Sequence, residues 1–116
     1  MKYTVSLKEN HLFRRAYNRG KSAVDSRLAL YVRRNGRKTN RLGLTVSTKV
    51  GCAVVRNRIR RRLREIYRLH EDGITPGMDV VVVARTRAAS SNYRQLEKSF
   101  LKLADRLCLL KKDVAE

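Results

Sequence analysis

The sequence predicts an α+β domain, a two-layer sandwich with elements in the order αβββαβα, and three observations carry that prediction. Residues 27–33 alternate along the chain with the period of a strand. Residues 53–71 carry apolar side chains at intervals of three and four, the period of a helix. Residues 80–84 form an unbroken, mostly β-branched apolar run. With 116 residues and 42% hydrophobic content, the chain holds enough apolar material for one modest core. No repeat, low-complexity tract or Gly/Ser-rich linker divides it, so a single domain is expected, ordered over about residues 5–110.

The elements follow in order. Ser6 with Glu9 makes a capping-box pattern and Gly20 a stop, which places a first helix between them, with Phe13 and Tyr17 one turn apart. Leu28, Leu30 and Val32 alternate with Ala29, Tyr31 and Arg33, the pattern of a half-buried strand, with room for a short extra strand near Ala23. The polar stretch NGRKTN then reads as a hairpin turn. Its partner strand runs from about Arg41 to Thr48 with Leu42, Leu44 and Val46 inward. Val55, Ile59, Leu63, Ile66 and Tyr67 define the buried stripe of a long helix from Ala53 to about Glu71. After a turn at Asp72 to Gly77, the run Val80 to Ala84 reads as a central strand buried on both faces. Asn92 and Gln95 cap a last helix whose Tyr93, Leu96, Phe100, Leu103 and Leu107 face the core.

Charge narrows the function. With 28 Lys+Arg against 10 Asp+Glu, the formal charge of +18 repels itself in a compact chain unless a polyanion neutralises it, most simply a nucleic acid. A membrane reading needs an apolar spanning run or a basic helix with a free apolar face, and the longest apolar run is far too short to span. The start, MKYTVSLKEN, lacks the apolar segment of a secretory signal, so a cytoplasmic protein with Cys52 and Cys108 reduced is expected. Arg56, Asn57, Arg58, Arg60, Arg61, Arg62, Arg64 and Arg68 occupy most positions of the long helix outside its stripe. A guanidinium donates two parallel hydrogen bonds to a phosphate and stacks on bases, which suits RNA. Chemistry on the protein itself is not indicated: His11 and His70 are isolated, the cysteines lie far apart, carboxylates are unpaired and no GK[ST] element follows Gly51. Neither a catalytic residue nor a protein-bound metal or cofactor is therefore expected.

The segment GLTVSTKVGCAVVRNRIRRRLRE, with its RNR element at Arg56, Asn57 and Arg58, resembles the signature of the ribonuclease P protein family. The likeness also takes in the Phe13/Tyr17 helix before Gly20, the LALYV strand and the PGMDVVVVAR strand, and so nearly the whole chain. The resemblance implies a fold similar to the second domain of ribosomal protein S5. In that fold a left-handed crossover links the strand at Leu42 to Thr48, the arginine helix and the strand at Val80 to Ala84; sequence pattern alone gives the right-handed form. It further implies a protein subunit of ribonuclease P that binds the catalytic RNA through the arginine helix and the 5′ leader of precursor tRNA. Mg²⁺ and the chemistry of leader removal then belong to the RNA, with one protein per RNA.

By the same resemblance Phe13, Tyr17 and Tyr31 line the leader cleft, with Arg14, Arg15 and Lys49 as phosphate partners. Spacing alone assigns such aromatics to the core. Thr48 stands where members commonly carry a lysine, leaving Lys49 that role, and Cys52 stands where many have Asn, the better helix cap. Two other classes account for charge and size: a structural RNA-binding protein such as a ribosomal component, which needs no leader groove, and a DNA-compacting protein, for which no recognition-helix motif is present.

Overall fold

The computed structural model describes residues 1–111. In chain order the elements are β1 (Thr4–Ser6), α1 (Asn10–Arg19), β2 (Lys21–Val24), β3 (Leu28–Arg34), β4 (Asn40–Val46), α2 (Ala53–His70), β5 (Met78–Ala84) and α3 (Tyr93–Arg106). Short 3₁₀ turns at Glu71–Gly73 and Thr86–Ser90 flank β5. The strands form one mixed sheet in the order β1-β4-β5-β3-β2. This is the expected α+β architecture, with the short strand near Ala23 present as β2 and an additional strand, β1, at the start.

Strand β5 is central because its valines have no polar face to offer water: Val80, Val81 and Val82 are all at most 1% exposed. It pairs antiparallel with β3 and parallel with β4. The expected hairpin between β3 and β4 is therefore incorrect. The two strands are consecutive in sequence but not neighbours, since β5 enters between them. The linking segment instead crosses the start of β5, where the Asn35 N–H donates to the Gly77 carbonyl and the Asn35 side chain donates to Asp79 Oδ1 at 3.1 Å. The unit β4-α2-β5 is a parallel crossover, the arginine helix linking two neighbouring strands.

One face of the sheet, carrying Leu28, Leu30, Val32, Leu42, Val46, Val80 and Val82, packs on α2 and α3. On α2 the buried side chains are Ile59, Leu63, Ile66 and Tyr67. Each contributes about 1.5–3 kcal/mol by leaving water, whereas a like-charge pair one turn apart costs about 0.2–0.5 kcal/mol. The apolar stripe thus outweighs the arginine repulsion once the sheet is there to receive it. The other face carries Val81, Val83 and Tyr31 and receives α1 through Leu12 and Ala16.

Helix α1 begins differently from expectation. Ser6 belongs to β1, and Glu9 itself is the N-cap, without a side-chain capping bond. The short β1 pairs with Asn40 to Leu42 and so withdraws Ser6 from the helix start. Gly20 does end the helix, but with φ −81° rather than in the left-handed region. It is needed for space, since a Cβ there would lie 2.4 Å from the Ala16 carbonyl oxygen and 2.7 Å from that of Val32. The Asn92/Gln95 capping box of α3 forms in full. At the far end of α3, Cys108 adopts φ 55° while the N–H groups of Cys108 and Leu109 donate to the carbonyls of Asp105 and Ala104, a Schellman closure with a non-glycine residue at its left-handed position.

Buried polar groups fix the ends of the sheet. Asp79, fully buried, receives Arg41 Nε at 2.7 Å and Arg41 Nη2 at 3.0 Å. Asn40 accepts from the Met78 N–H and donates to the Tyr67 hydroxyl, which also meets Thr4 at 2.9 Å. Glu71 accepts the N–H groups of Lys2 and Tyr3, fastening the N-terminal segment. Burial raises the Glu71 pKa, but these hydrogen bonds and the nearby N-terminal charge more than offset it and hold the carboxyl below its usual range. Asp25, in the β2–β3 turn, accepts the N–H groups of Arg27 and Leu28 and lies 3.2 Å from Lys102 of α3. Burial disfavours its charge, yet these partners and Ser99 prevail and lower its pKa from 3.8 to about 2.

Candidate nucleic-acid interface

The basic residues fall into rows that the sequence does not separate. Helical geometry, about 100° per residue, divides the arginines of α2 around its buried stripe. Arg58 and Arg62 lie on the flank toward the 3₁₀ turn before α3, donating to the Ala89 carbonyl at 3.4 Å and the Ser91 carbonyl at 3.2 Å. Arg60 lies on the opposite flank, donating to the Val46 carbonyl at 3.4 Å and to Asn57 Oδ1 at 2.9 Å. Arg56 turns back to the Gly51 carbonyl. Arg61 and Arg64 are exposed. Arg68 is exposed too but forms an ion pair with Glu65 one turn earlier, so its charge is locally balanced.

The structure thus gathers all eight sequence-predicted positions on one helix but distinguishes their roles. Arg61 and Arg64 project freely, whereas Arg58 and Arg62 each spend a donor on backbone. Hydrogen bonding to Ala89 and Ser91 was not legible because those carbonyls reach α2 only through the tertiary fold.

Cys52 caps α2 with extended backbone, so the helix begins where the motif places it despite the missing Asn. Its thiol is exposed, and the backbone N–H groups of Val55 and Val54, ahead of a small opposing effect of burial, hold it below the usual cysteine range. At the other end of α2, His70 Nε2 lies 3.0 Å from Glu97 Oε2.

The aromatic residues meet on the opposite side of the sheet. Phe13 and Tyr17 have ring centroids 6.3 Å apart, and Tyr17 stands edge-on to Tyr31 at 4.9 Å and 82°. Tyr17 is 38% exposed, and its hydroxyl is 3.2 Å from Thr45 Oγ1. Phe13 and Tyr31 are half-buried. The three rings therefore form one cluster in which Tyr17 reaches solvent while Phe13 and Tyr31 rest on Leu7, Leu12, Ala16 and Val81.

What lets Phe13 lie flat on the sheet is Gly43 of β4. A Cβ there would lie 2.6 Å from Phe13 Cε1 and 2.8 Å from Cζ. Gly43 and Thr45, which touch Phe13 and Tyr17, are contacts that sequence reading missed; the signal was a glycine inside a strand pattern, which marks close approach. Arg14 is exposed about 60° around α1 from Tyr17, while Arg15, also exposed, sits about 160° around from it and faces away. Lys49 is exposed in the turn after β4, at the end of that strand which carries Thr45. Tyr67, Leu96, Phe100 and Leu103 are buried, as expected of core residues.

Among the described residues, no group of three or more His, Cys, Asp or Glu side chains converges to hold a metal, and no helix is long and apolar enough to cross a membrane. A mixed sheet with an arginine-lined helix across one face and an aromatic cluster that reaches solvent at Tyr17 on the other defines a basic α+β RNA-binding protein.

Known proteins give that class a name. A family model described as ribonuclease P matches residues 1–108. The ribonuclease P protein component of Natranaerobius thermophilus is 39% identical over 98% of this chain and 99% of its own length, and that of Lachnoclostridium phytofermentans is 42% identical over 85% of each. Among solved structures, the RNase P protein of Staphylococcus aureus superposes with a TM-score of 0.85 at 31% identity, covering 91% of this chain and 97% of that one. The RNase P protein from Thermotoga maritima gives 0.79 at 30% identity, covering 87% and 96%. The chain belongs to the ribonuclease P protein family, and its work is that of a ribonuclease P subunit in tRNA 5′ maturation.

Proposed function

We propose that the chain serves ribonuclease P by presenting two surfaces to two RNAs. The outward row of α2, with Arg61 and Arg64 foremost and Arg56, Asn57, Arg58, Arg60, Arg62 and Arg68 beside it, docks on the catalytic RNA and neutralises its phosphates. The platform of Phe13, Tyr17 and Tyr31 holds the unpaired 5′ leader of precursor tRNA by stacking, with Arg14 and Lys49 reaching its phosphates, whereas Arg15, also expected there, faces away from the rings. The observation that carries this reading is the exposure of Tyr17 and its ring contacts with Phe13 and Tyr31 on the face that receives α1.

The catalytic RNA performs the cleavage, one protein serves one RNA, and the complex works in the cytoplasm. Mg²⁺ is placed with the RNA, whose affinity for the ion rises as the arginines relieve phosphate repulsion.

The test is reconstitution with a ribonuclease P RNA and cleavage of precursor tRNA at low Mg²⁺. Stimulation by the protein is expected, and its absence rejects the subunit reading in favour of a purely structural RNA-binding role. Replacing Tyr17 with Ala is expected to narrow the affinity gap between precursor and mature tRNA by about 1–3 kcal/mol. A lowered melting temperature with the gap intact assigns Tyr17 to packing.

A further inference from the structure

The two surfaces come together at one edge of the sheet. Strand β1 pairs only with Asn40 to Leu42, so the rest of β4 has no strand neighbour on that side. A cavity of about 390 Å³ opens there, within the range of about 300–1,000 Å³ typical of small-ligand sites. Leu7, Phe13 and Leu44 form its apolar wall, Val5 stands near its mouth, and α2 contributes Arg60 and Arg64; no carboxylate lines it. Arg60 is anchored to Val46 and Asn57, while no side-chain hydrogen bond or ion pair among the described residues engages Arg64. An apolar wall that includes an aromatic ring, with two cations and no anion, fits an aromatic ligand bearing negative charge. An extended peptide fits less well, because the Arg60 guanidinium already occupies the Val46 carbonyl on the open strand edge.

We propose that this recess receives one unstacked nucleotide of the RNA docked on α2, its base against Leu7, Phe13 and Leu44 and its phosphate on Arg64 and Arg60. A base offers a flat apolar face for such a wall, and guanidinium forks match the phosphate. The proposal rests on the RNA-binding role of α2 and adds to it an enclosed nucleotide site at the sheet edge, which shares Arg60 and Arg64 with the arginine row and Phe13 with the leader platform. It also gives Phe13 two sides: one toward Tyr17 and the leader, the other toward this nucleotide.

The full ¹⁵N-labelled chain is titrated with adenosine 5′-monophosphate, and separately with adenosine and with inorganic phosphate. Saturable shifts of the Leu7 and Leu44 amides with the mononucleotide, larger than either half produces alone, are expected. Shifts confined to the neighbourhood of Tyr17 and Tyr31, or equal shifts with phosphate alone, overturn the site. In parallel, Val5→Trp, made at an exposed position near the mouth, is expected to weaken binding to a ribonuclease P RNA about tenfold, in keeping with one stacked base lost. Unchanged affinity in that folded variant overturns the proposal. Should the unsubstituted chain fail to bind the RNA at all, it is the role of α2 that fails, and the mononucleotide titration decides the recess by itself.

Discussion

Replacing Gly43 with Ala makes a demanding test, because one methyl group links strand packing to the leader platform. The Cβ would lie 2.6 and 2.8 Å from two carbons of the Phe13 ring, well inside the roughly 3.5–4.0 Å of a favourable carbon contact. Backbone conformation adds nothing to the cost, since Gly43 is not in the left-handed region. The ring must therefore shift, and overpacking of this kind costs about 1–3 kcal/mol. Chemical denaturation of Gly43→Ala, Phe13→Ala and the double variant measures that cost. In the Phe13→Ala background the obstructing ring is gone, so Gly43→Ala is expected to be nearly neutral, a coupling of about 1–3 kcal/mol. The same substitution is expected to reduce the affinity difference between precursor and mature tRNA in the reconstituted complex by up to the value of one stacked base. Additive denaturation energies, within about 0.5 kcal/mol, refute the packing argument. A full coupling energy with unaltered discrimination refutes instead the assignment of Phe13 to the leader.

Arg61→Ala is expected to lower the slope of log affinity against log salt for the RNA subunit by about 0.7–0.9, the signature of one lost phosphate contact; Arg68→Ala, whose charge Glu65 already balances, is expected to change it less, and equal effects contradict that ion pair's importance. Asp25, folded at about 2 against its ordinary 3.8, stabilises the fold fully above pH 4 and loses that contribution as pH falls toward 2. Asp25→Asn should accordingly cost about 2 kcal/mol at pH 7 and remove the dependence in that window, as read by denaturation at several pH values. Cys108→Gly should raise stability by about 0.5–1 kcal/mol, because it relieves a left-handed residue at a small cost in unfolded-chain entropy; a lower melting temperature would count against the strain.

What the sequence made legible was whatever depends on period and capping. The stripe of Ile59, Leu63, Ile66 and Tyr67, the central valine strand and the Asn92 cap each rest on residues close in the chain. The supposed hairpin failed because chain adjacency competed with the need of Val80 to Val83 for two covered faces, and burial won. Strand β1 was invisible, since Thr4–Ser6 is too short to establish a period and owes its place to Glu71 and Tyr67, far along the chain. For the interface, the arginine row was plain, but the division between free and tethered guanidiniums rests on carbonyls brought in by other elements. The Arg41–Asp79 pair likewise exists only because β5 lies beside β4.

The insertion of β5 between β3 and β4 bears on when the protein becomes competent. Strands β4 and β5 are parallel neighbours separated in sequence by the whole of α2, so their pairing is a long-range contact of the kind that slows folding. Until it happens, Ile59 and Leu63 have no sheet to rest on, and a helix so crowded with like charges has little reason to persist alone. The arginine surface is thereby a product of completed folding. The ordered rows of guanidiniums, with Arg58, Arg60 and Arg62 held by carbonyls of other elements, are thus a property of the whole fold and not of the helix alone.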